Sequence, residues 1–384
     1  MFVAIFVISL VIAIMFHEFG HFATAKAFGM KVEKFFLGFG PTLWSVRRGE
    51  TEYGVKAIPA GGFVKIIGMS SAEEVDPADA GRTFYEQAAW KRFIVLVSGS
   101  VTHFLLAILL ITAALAFVGL PDADAPATTL IEQVVEGTPA GRAKVQPGDR
   151  IAAIDGQPMS DFDEVRTYLA GRPGERIVLE LVRPDGATRE VPVTLATERP
   201  DGTDGAFLGV GPRPVITTVP LGEALGQALS GDFSVVSIAR TNLEGLGDAL
   251  SPTALARWFG EVDSEAPRSA EGPISLVGVG QTVNALGKSG DIFNVLFLLA
   301  LLNITLGTLN MLPLPPLDGG HVAVLLIEQG VNGVRRIRGR SANWHMDPSV
   351  ITPVALAVIL FFVVLSVTAL YVDIVKPASD LLQQ

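Results

Sequence analysis

The sequence predicts a mainly α-helical polytopic membrane protein with four transmembrane helices, an inserted β-rich domain on the extracytoplasmic side and a small β element on the cytoplasmic side. Three observations predict it. Of 384 residues, 49% are hydrophobic and only 18% charged, where a soluble domain carries about a quarter. Apolar runs of about 20 residues, long enough to cross a hydrocarbon layer, recur near 2–22, 93–118, 292–312 and 350–372. Between the second and third runs the patterning turns polar and acidic. Residues 121–290 hold 24 Asp/Glu against 14 Lys/Arg, which accounts for the whole net charge of −10. No basic face is left for a nucleic-acid partner. Cysteine is absent, which excludes a disulfide framework and any thiolate metal site.

The first run, Phe2 to Phe22, has no Lys or Arg before it and no small-residue cleavage site after it, so it reads as a spanning helix and not a cleaved signal. It carries His17-Glu18-Phe19-Gly20-His21. On a helix His17 and His21 lie one turn apart and can bind one zinc ion, with Glu18 placed to take a proton from water on that zinc. A pair of core histidines beside a buried carboxylate is the bland alternative. Polar groups at membrane depth are costly, however, and persist where they pair, line a wet cavity or bind an ion.

Residues 23–92 form a connector with ten Lys/Arg. Leu43–Arg48, Glu52–Ile58 and Gly62–Ile67 read as short strands, with a hairpin turn at Arg48-Gly49-Glu50 and breaks at Gly38-Phe39-Gly40-Pro41 and Pro59-Ala60-Gly61-Gly62. This is either a plain surface sheet or an edge strand able to pair with an unwound substrate. Lys91 and Arg92 anchor the second run. His103 within it fits a hydrogen bond to a neighbouring helix better than a ligand role.

Residues 121–126 read as a linker. Beyond them Leu130–Val135, Arg150–Ile154, Ile177–Arg183 and Glu190–Leu195 read as strands, and Asp161 caps a short helix. The order of a small-residue helix, Val145-Gln146-Pro147-Gly148-Asp149-Arg150-Ile151, a strand and Asp155-Gly156 resembles a PDZ domain of bacterial proteases over residues 127–214. Phe207, Leu208, Gly209 and Val210 resemble the loop with which such domains meet a peptide's C-terminal carboxylate. Their place at the end of the unit fits a permuted form. Residues 215–290 form an amphipathic linker region, expected to pack against the PDZ-like domain or lie on the membrane surface. The apolar stretch after Gly272 is too short to span.

The third run ends in Asn310-Met311-Leu312-Pro313-Leu314-Pro315-Pro316-Leu317-Asp318-Gly319-Gly320-His321. Prolines free backbone groups there, which membrane depth tolerates only inside protein or beside a cavity. The basic connectors 23–92 and 322–349 belong in the cytoplasm, and the acidic block with both termini belongs outside. The first and third runs then point the same way, so His17, His21 and Asp318 arrive at one depth near the cytoplasmic face. Three protein ligands with an open fourth position make a catalytic zinc site.

His-Glu-Phe-Gly-His in the first run, with Asn-x-x-Pro-x-Pro-x-Leu-Asp-Gly-Gly near the end of a later one, resembles the site-2 protease family of intramembrane zinc metalloproteases, in its bacterial RseP-type branch with a PDZ domain. The Gly-Phe-Gly-Pro and Gly-Gly-Phe-Val-Lys stretches are similar to that branch's membrane-facing β element, and Gly272-Pro273-Ile274-Ser275 to the start of its third core segment. The resemblance implies one Zn2+ per chain on His17, His21 and Asp318. It implies Glu18 as general base, and Asn310 with Gly61, Gly62 and Phe63 as substrate contacts. His321 is a further candidate for the oxyanion or the metal. The resemblance also implies single-pass membrane proteins as substrates, anti-sigma factors and remnant signal peptides among them. The lipid bilayer is a partner, as are peptide C termini at the PDZ groove, and the location is the bacterial inner membrane. Only one PDZ-like unit is present, where some members carry two. A PDZ-based membrane adaptor with a structural zinc is the competing class, and an intact Glu18 argues against it.

Overall fold

A computed structural model describes residues 1–69, 73–122, 125–199, 202–262, 264, 272–341, 344–346 and 348–377. The chain divides into two compact units, 1–117 with 220–384, and 118–219. Ala123 and Asp124 of the expected linker lie outside the described residues.

Helix α1 (Phe2–Ala27) opens the first unit. It stops at Gly29, whose φ of +78° suits glycine, and the Met30 amide turns back to the Ala25 carbonyl at 2.9 Å. Strands β1 (Val32–Arg48) and β2 (Thr51–Ile66) follow. The expected three short strands are in fact one long, bent hairpin. Phe35–Leu37 pairs both with 62–64 and with 53–55, while 42–48 pairs with 51–56. Four segments therefore lie side by side, in the order 42–48, 51–56, 32–37, 62–66, and the last is an edge. The glycines read as breaks are bends within the strand: Gly38 and Gly40 adopt φ of +86° and +83°. Glu50 at the turn is tied to Lys26 and Arg82. Partial burial works against its charge, but hydrogen bonds from those two cations hold its carboxyl below the ordinary range.

Helix α2 (Ala89–Ala113) ends in a π turn at 114–118 and leads into the second unit. There β3 (Leu120–Pro121), β4 (Ile131–Val134), α3 (Pro139–Arg142), β5 (Arg150–Ile154), β6 (Gln157–Pro158) and α4 (Phe162–Ala170) are followed by β7 (Arg176–Val182), β8 (Thr188–Thr194), β9 (Ala196–Glu198), β10 (Asp204–Phe207), β11 (Val210–Pro212) and β12 (Ile216–Thr217). Asp161 caps α4 as expected, accepting from the Glu164 amide at 2.9 Å. The sheet β6-β5-β7-β8 is antiparallel, β4 meets β5 through Ile131–Asp149 and Thr129–Ile151 hydrogen bonds, and β11 pairs with β4. Ile151, Ile177, Leu179, Leu181 and Val165 are fully buried at its centre.

The first unit resumes with α5 (Leu221–Ser230), α6 (Val235–Ala249), α7 (Pro252–Val262), α8 (Leu276–Ser289), α9 (Ile292–Asn310), α10 (Asp318–Ile337) and α11 (Pro348–Val375). The linker helices pack against other helices of the first unit. Helix α5 packs on α2, and α6 packs on α9. Asn242 donates to Thr305 at 3.0 Å, and Phe233 packs edge-on against Phe293 and Phe297. Helix α8 is sealed to its neighbours by glycines: Gly278 abuts Asp373, Gly280 abuts Phe6 and Gly287 abuts Phe2. Among the described residues four helices, Phe2–Ala27, Ala89–Val118, Ile292–Asn310 and Val350–Val375, are long and apolar enough to cross a membrane. Helix α11 leaves Leu356, Ile359, Leu360, Val363 and Val367 exposed, a surface that only lipid or another apolar partner covers favourably.

Leu179 is fully buried in the β-rich domain. Its replacement by Ala is expected to destabilise that domain by about 2–5 kcal/mol, measured as a lower urea midpoint of its circular-dichroism signal.

Candidate metal centre

Three polar side chains meet where α1, α2 and the start of α10 converge. His17 Nε2 lies 3.2 Å from Asp318 Oδ2, His21 Nε2 lies 3.3 Å from the same oxygen, and the two imidazole nitrogens are 3.2 Å apart. The three atoms form a nearly equilateral triangle. Zinc–nitrogen and zinc–oxygen bonds of roughly 2.0–2.1 Å in a tetrahedron imply ligand–ligand edges of roughly 3.3 Å, so the triangle fits one face of a zinc tetrahedron. Asp318 Oδ2 is buried and makes no well-formed hydrogen bond; a buried carboxylate oxygen in that state calls for a cation. His17, His21 and Asp318 form the one group of three potential ligands found among the described residues.

The local sequence explains how each ligand is placed. His17 and His21 share a face of α1 because they are one turn apart. The close approach of α2 depends on glycines in both helices. A Cβ at Gly20 would run into the Ser98 carbonyl, and one at Gly99 would run into the rings of His17 and His21. His21 donates through Nδ1 to the Val95 carbonyl at 2.7 Å, which leaves its Nε2 lone pair for the metal. Asp318 is the first residue of α10. Its neighbours Gly319 and Gly320 let the Met311–Pro315 loop fold directly onto the helix start, because a Cβ at either would overlap that backbone.

Glu18 lies beside this triangle and next to the edge segment 62–66. A Cβ at Gly62 would sit 3.1 Å from Glu18 Cγ. Gly62 thus belongs to the site. Gly61 adopts φ of +139° against the Phe39 ring, and Phe63 stacks between Phe36 and Phe39 at 5.6 and 6.2 Å. Asn310 Nδ2 is 3.5 Å from His17 Nδ1. The amide there can turn its oxygen to the N–H that a metal-ligating imidazole carries on its other nitrogen.

His321 does not join the triangle. It lies one turn beyond Asp318 and lines a separate cavity of about 310 Å³ with Pro315, Tyr85 and Glu328. His345 meets the Tyr85 ring edge-on at 4.4 Å, and Glu328 accepts from the Tyr85 hydroxyl at 2.8 Å. His103 is 3% exposed, and Nδ1 is 3.0 Å from Asn303 Oδ1, with its ring 5.1 Å from that of His17. Sequence reasoning missed Val95, Gly99 and Asn303. The run Ser98-Gly99-Ser100 within an apolar helix is the signal that could have revealed the close helix contact. Phe207, Leu208, Gly209 and Val210 lie in the other unit, Phe207 ending β10, Val210 opening β11 and the other two joining them.

The profile of Peptidase family M50 matches residues 5–346, and the chain belongs to that family. It is 35% identical to the zinc metalloprotease Rip1 of Mycobacterium bovis and of Mycobacterium tuberculosis, covering 98% of this chain and 97% of each relative. The Mycolicibacterium smegmatis Rip1 is also 35% identical, with 98% of both chains covered. Among solved structures, the PDZ domain of an SdrC-like protein of Listeria innocua matches 22% of this chain and 92% of its own, at 22% identity and a TM-score of 0.20. A solution structure from Geobacillus thermodenitrificans matches 23% and 100%, at 27% identity and a TM-score of 0.19.

Gly99→Ala is expected to lower zinc affinity by about 10–100-fold, the effect of disturbing groups that orient metal ligands, although every ligand remains. Ser100→Ala, which removes a buried hydroxyl that has no partner, is expected to leave zinc content unchanged. Metal analysis of the two purified variants after dialysis against graded chelator checks both.

Proposed function

We infer that this zinc metalloprotease hydrolyses peptide bonds in or beside the transmembrane segments of single-pass membrane proteins. The observation that carries the reading is the position of His17, Glu18 and His21 within the apolar helix α1, with Asp318 of α10 brought to them. His17 and His21 precede the helix end at Ala27 by ten and six residues, or about 15 and 9 Å along the axis. These distances support a site within a hydrocarbon layer about 30 Å thick.

When bound, zinc supplies Lewis acidity, polarising the scissile carbonyl and making water nucleophilic near neutral pH. His17, His21 and Asp318 hold it and leave a fourth position open. Glu18 takes the proton of the attacking water and passes it to the leaving amine. Asn310, 3.5 Å from His17 Nδ1, steadies the His17 ring and is a candidate substrate contact.

A peptide bond within a helix is shielded by its own hydrogen bonds, so the substrate must unwind locally. The edge 62–66, beside Glu18, offers backbone groups that replace the bonds lost. Gly61, Gly62 and Phe63 are the residues of that edge nearest the substrate backbone. The basic connectors favour a site near the cytoplasmic side and a PDZ-like domain outside, in a bacterial plasma membrane. There the domain filters or recognises substrates already shortened by another protease. Anti-sigma factors and remnant signal peptides have that form.

Glu18→Gln is expected to keep a full complement of zinc and lose about 10²–10⁴-fold in cleavage rate, whereas His21→Ala loses metal and activity together. Zinc analysis and a reporter-cleavage assay on the purified variants separate the two, and cleavage by Glu18→Gln at the unmodified rate removes Glu18 from its role. A reporter with Gly or Pro near the scissile bond is expected to be cut faster than one with an all-Leu helix. Equal rates would count against local unwinding.

A further inference from the structure

A PDZ domain takes a partner's C-terminal tail as an added strand: a loop holds the terminal carboxylate and the tail's backbone pairs with the strand that follows. In this chain the loop is Phe207–Val210 and the strand is β11, Val210–Pro212, with Arg213 and Pro214 following it. Its register against β4 fixes which residues face which edge. The Val135 amide donates to the Gly209 carbonyl at 3.0 Å, and Gly211 stands opposite Gln133. The Arg213 amide donates to the Leu130 carbonyl at 2.7 Å, and its carbonyl accepts from Thr128 at 3.2 Å. Residues 209, 211 and 213 therefore direct their backbone groups toward β4. The two-residue period turns Val210 and Pro212 to the outer edge, where a tail would add, and carries Pro214 to the same side just past the strand end, the register against β4 shifting between Gly211 and Pro212.

Of those three positions, two are proline. Pro212 and Pro214 have no N–H to donate, and their rings stand where the added strand would lie. The carboxylate loop itself is well formed. Leu208 accepts from the Ala140 amide at 2.9 Å, and Gly209, at φ of +89°, is backed by Thr138 so closely that a Cβ would overlap it.

We propose that Pro212 and Pro214 close this groove to strand addition, so that it admits a terminal carboxylate and its last residue but gains nothing from a longer tail. Pro212 and Pro214 are then the specificity-determining residues of the domain, which does not hold cut proteins by their C-terminal tails. This deepens the filter reading above, and its test is independent of the peptidase chemistry.

The test uses the full-length protein in detergent and fluorescence anisotropy with labelled peptide pools of two, four, six and eight residues, degenerate at the last three positions. Each pool is made with a free and an amidated C terminus. The unmodified protein is expected to show the same affinity, or none, at every length. The double variant Pro212→Ala, Pro214→Ala is expected to bind free-carboxylate pools more tightly with length, by roughly tenfold or more between two and eight residues. Carboxylate-dependent binding by the unmodified protein that tightens tenfold with length overturns the proposal. So does a double variant that melts normally and cleaves a reporter at the unmodified rate yet shows no dependence on length. If the double variant does not fold, Pro212→Ala alone carries the same comparison, with a smaller gain expected.

Discussion

Two imidazole nitrogens and a carboxylate oxygen, each 3.2–3.3 Å from the other two, are held together within an apolar helix bundle. Without a cation that arrangement is costly: Asp318 Oδ2 is cut off from water, and the two lone pairs face each other. With a dication the same atoms satisfy one another. The surrounding structure is organised to maintain this convergence. Helix α1 presents the histidines, the Val95 carbonyl sets the tautomer of one, and the Pro-rich segment after α9 delivers the carboxylate at a helix start, where a negative charge is favoured.

Close packing makes the convergence possible, and glycine makes the packing possible. Gly20 and Gly99 let α1 and α2 approach until backbone meets imidazole. Gly319 and Gly320 do the same for the loop before α10. Each removes a methyl group from a place where the metal site has no room for one. The hairpin contributes Gly62 in the same manner, bringing the sheet edge against Glu18. Its far end is anchored by the Glu50 ion pairs to Lys26 at the end of α1 and to Arg82.

Much of this was legible in the amino-acid order, because apolar run length and the paired histidine and aspartate motifs each have a single economical explanation. The strand from Val32 was not. Gly38, Gly40 and Pro41 read as breakers, whereas in the sheet they serve as bends in a continuous hairpin, and tertiary pairing outweighs local propensity. The helices of 221–262 showed amphipathic faces but not their partner. An apolar stripe says that something is covered, without saying whether by a β-domain or by other helices. Helix α10 was hidden because it follows a proline-rich segment and most of it fell within 322–349, which read as a basic connector.

The two halves of the ligand set are encoded roughly 300 residues apart, on either side of the inserted 118–219 unit. The metal is therefore a cross-link between the beginning and the end of the chain, and its binding energy counts toward holding those helices together. Covalent continuity through the insert is not what keeps the catalytic groups aligned. A molecule cut once in that unit would retain its two membrane portions as a metal-clasped pair, so the inserted domain is free to vary in size and sequence without loosening the centre it serves.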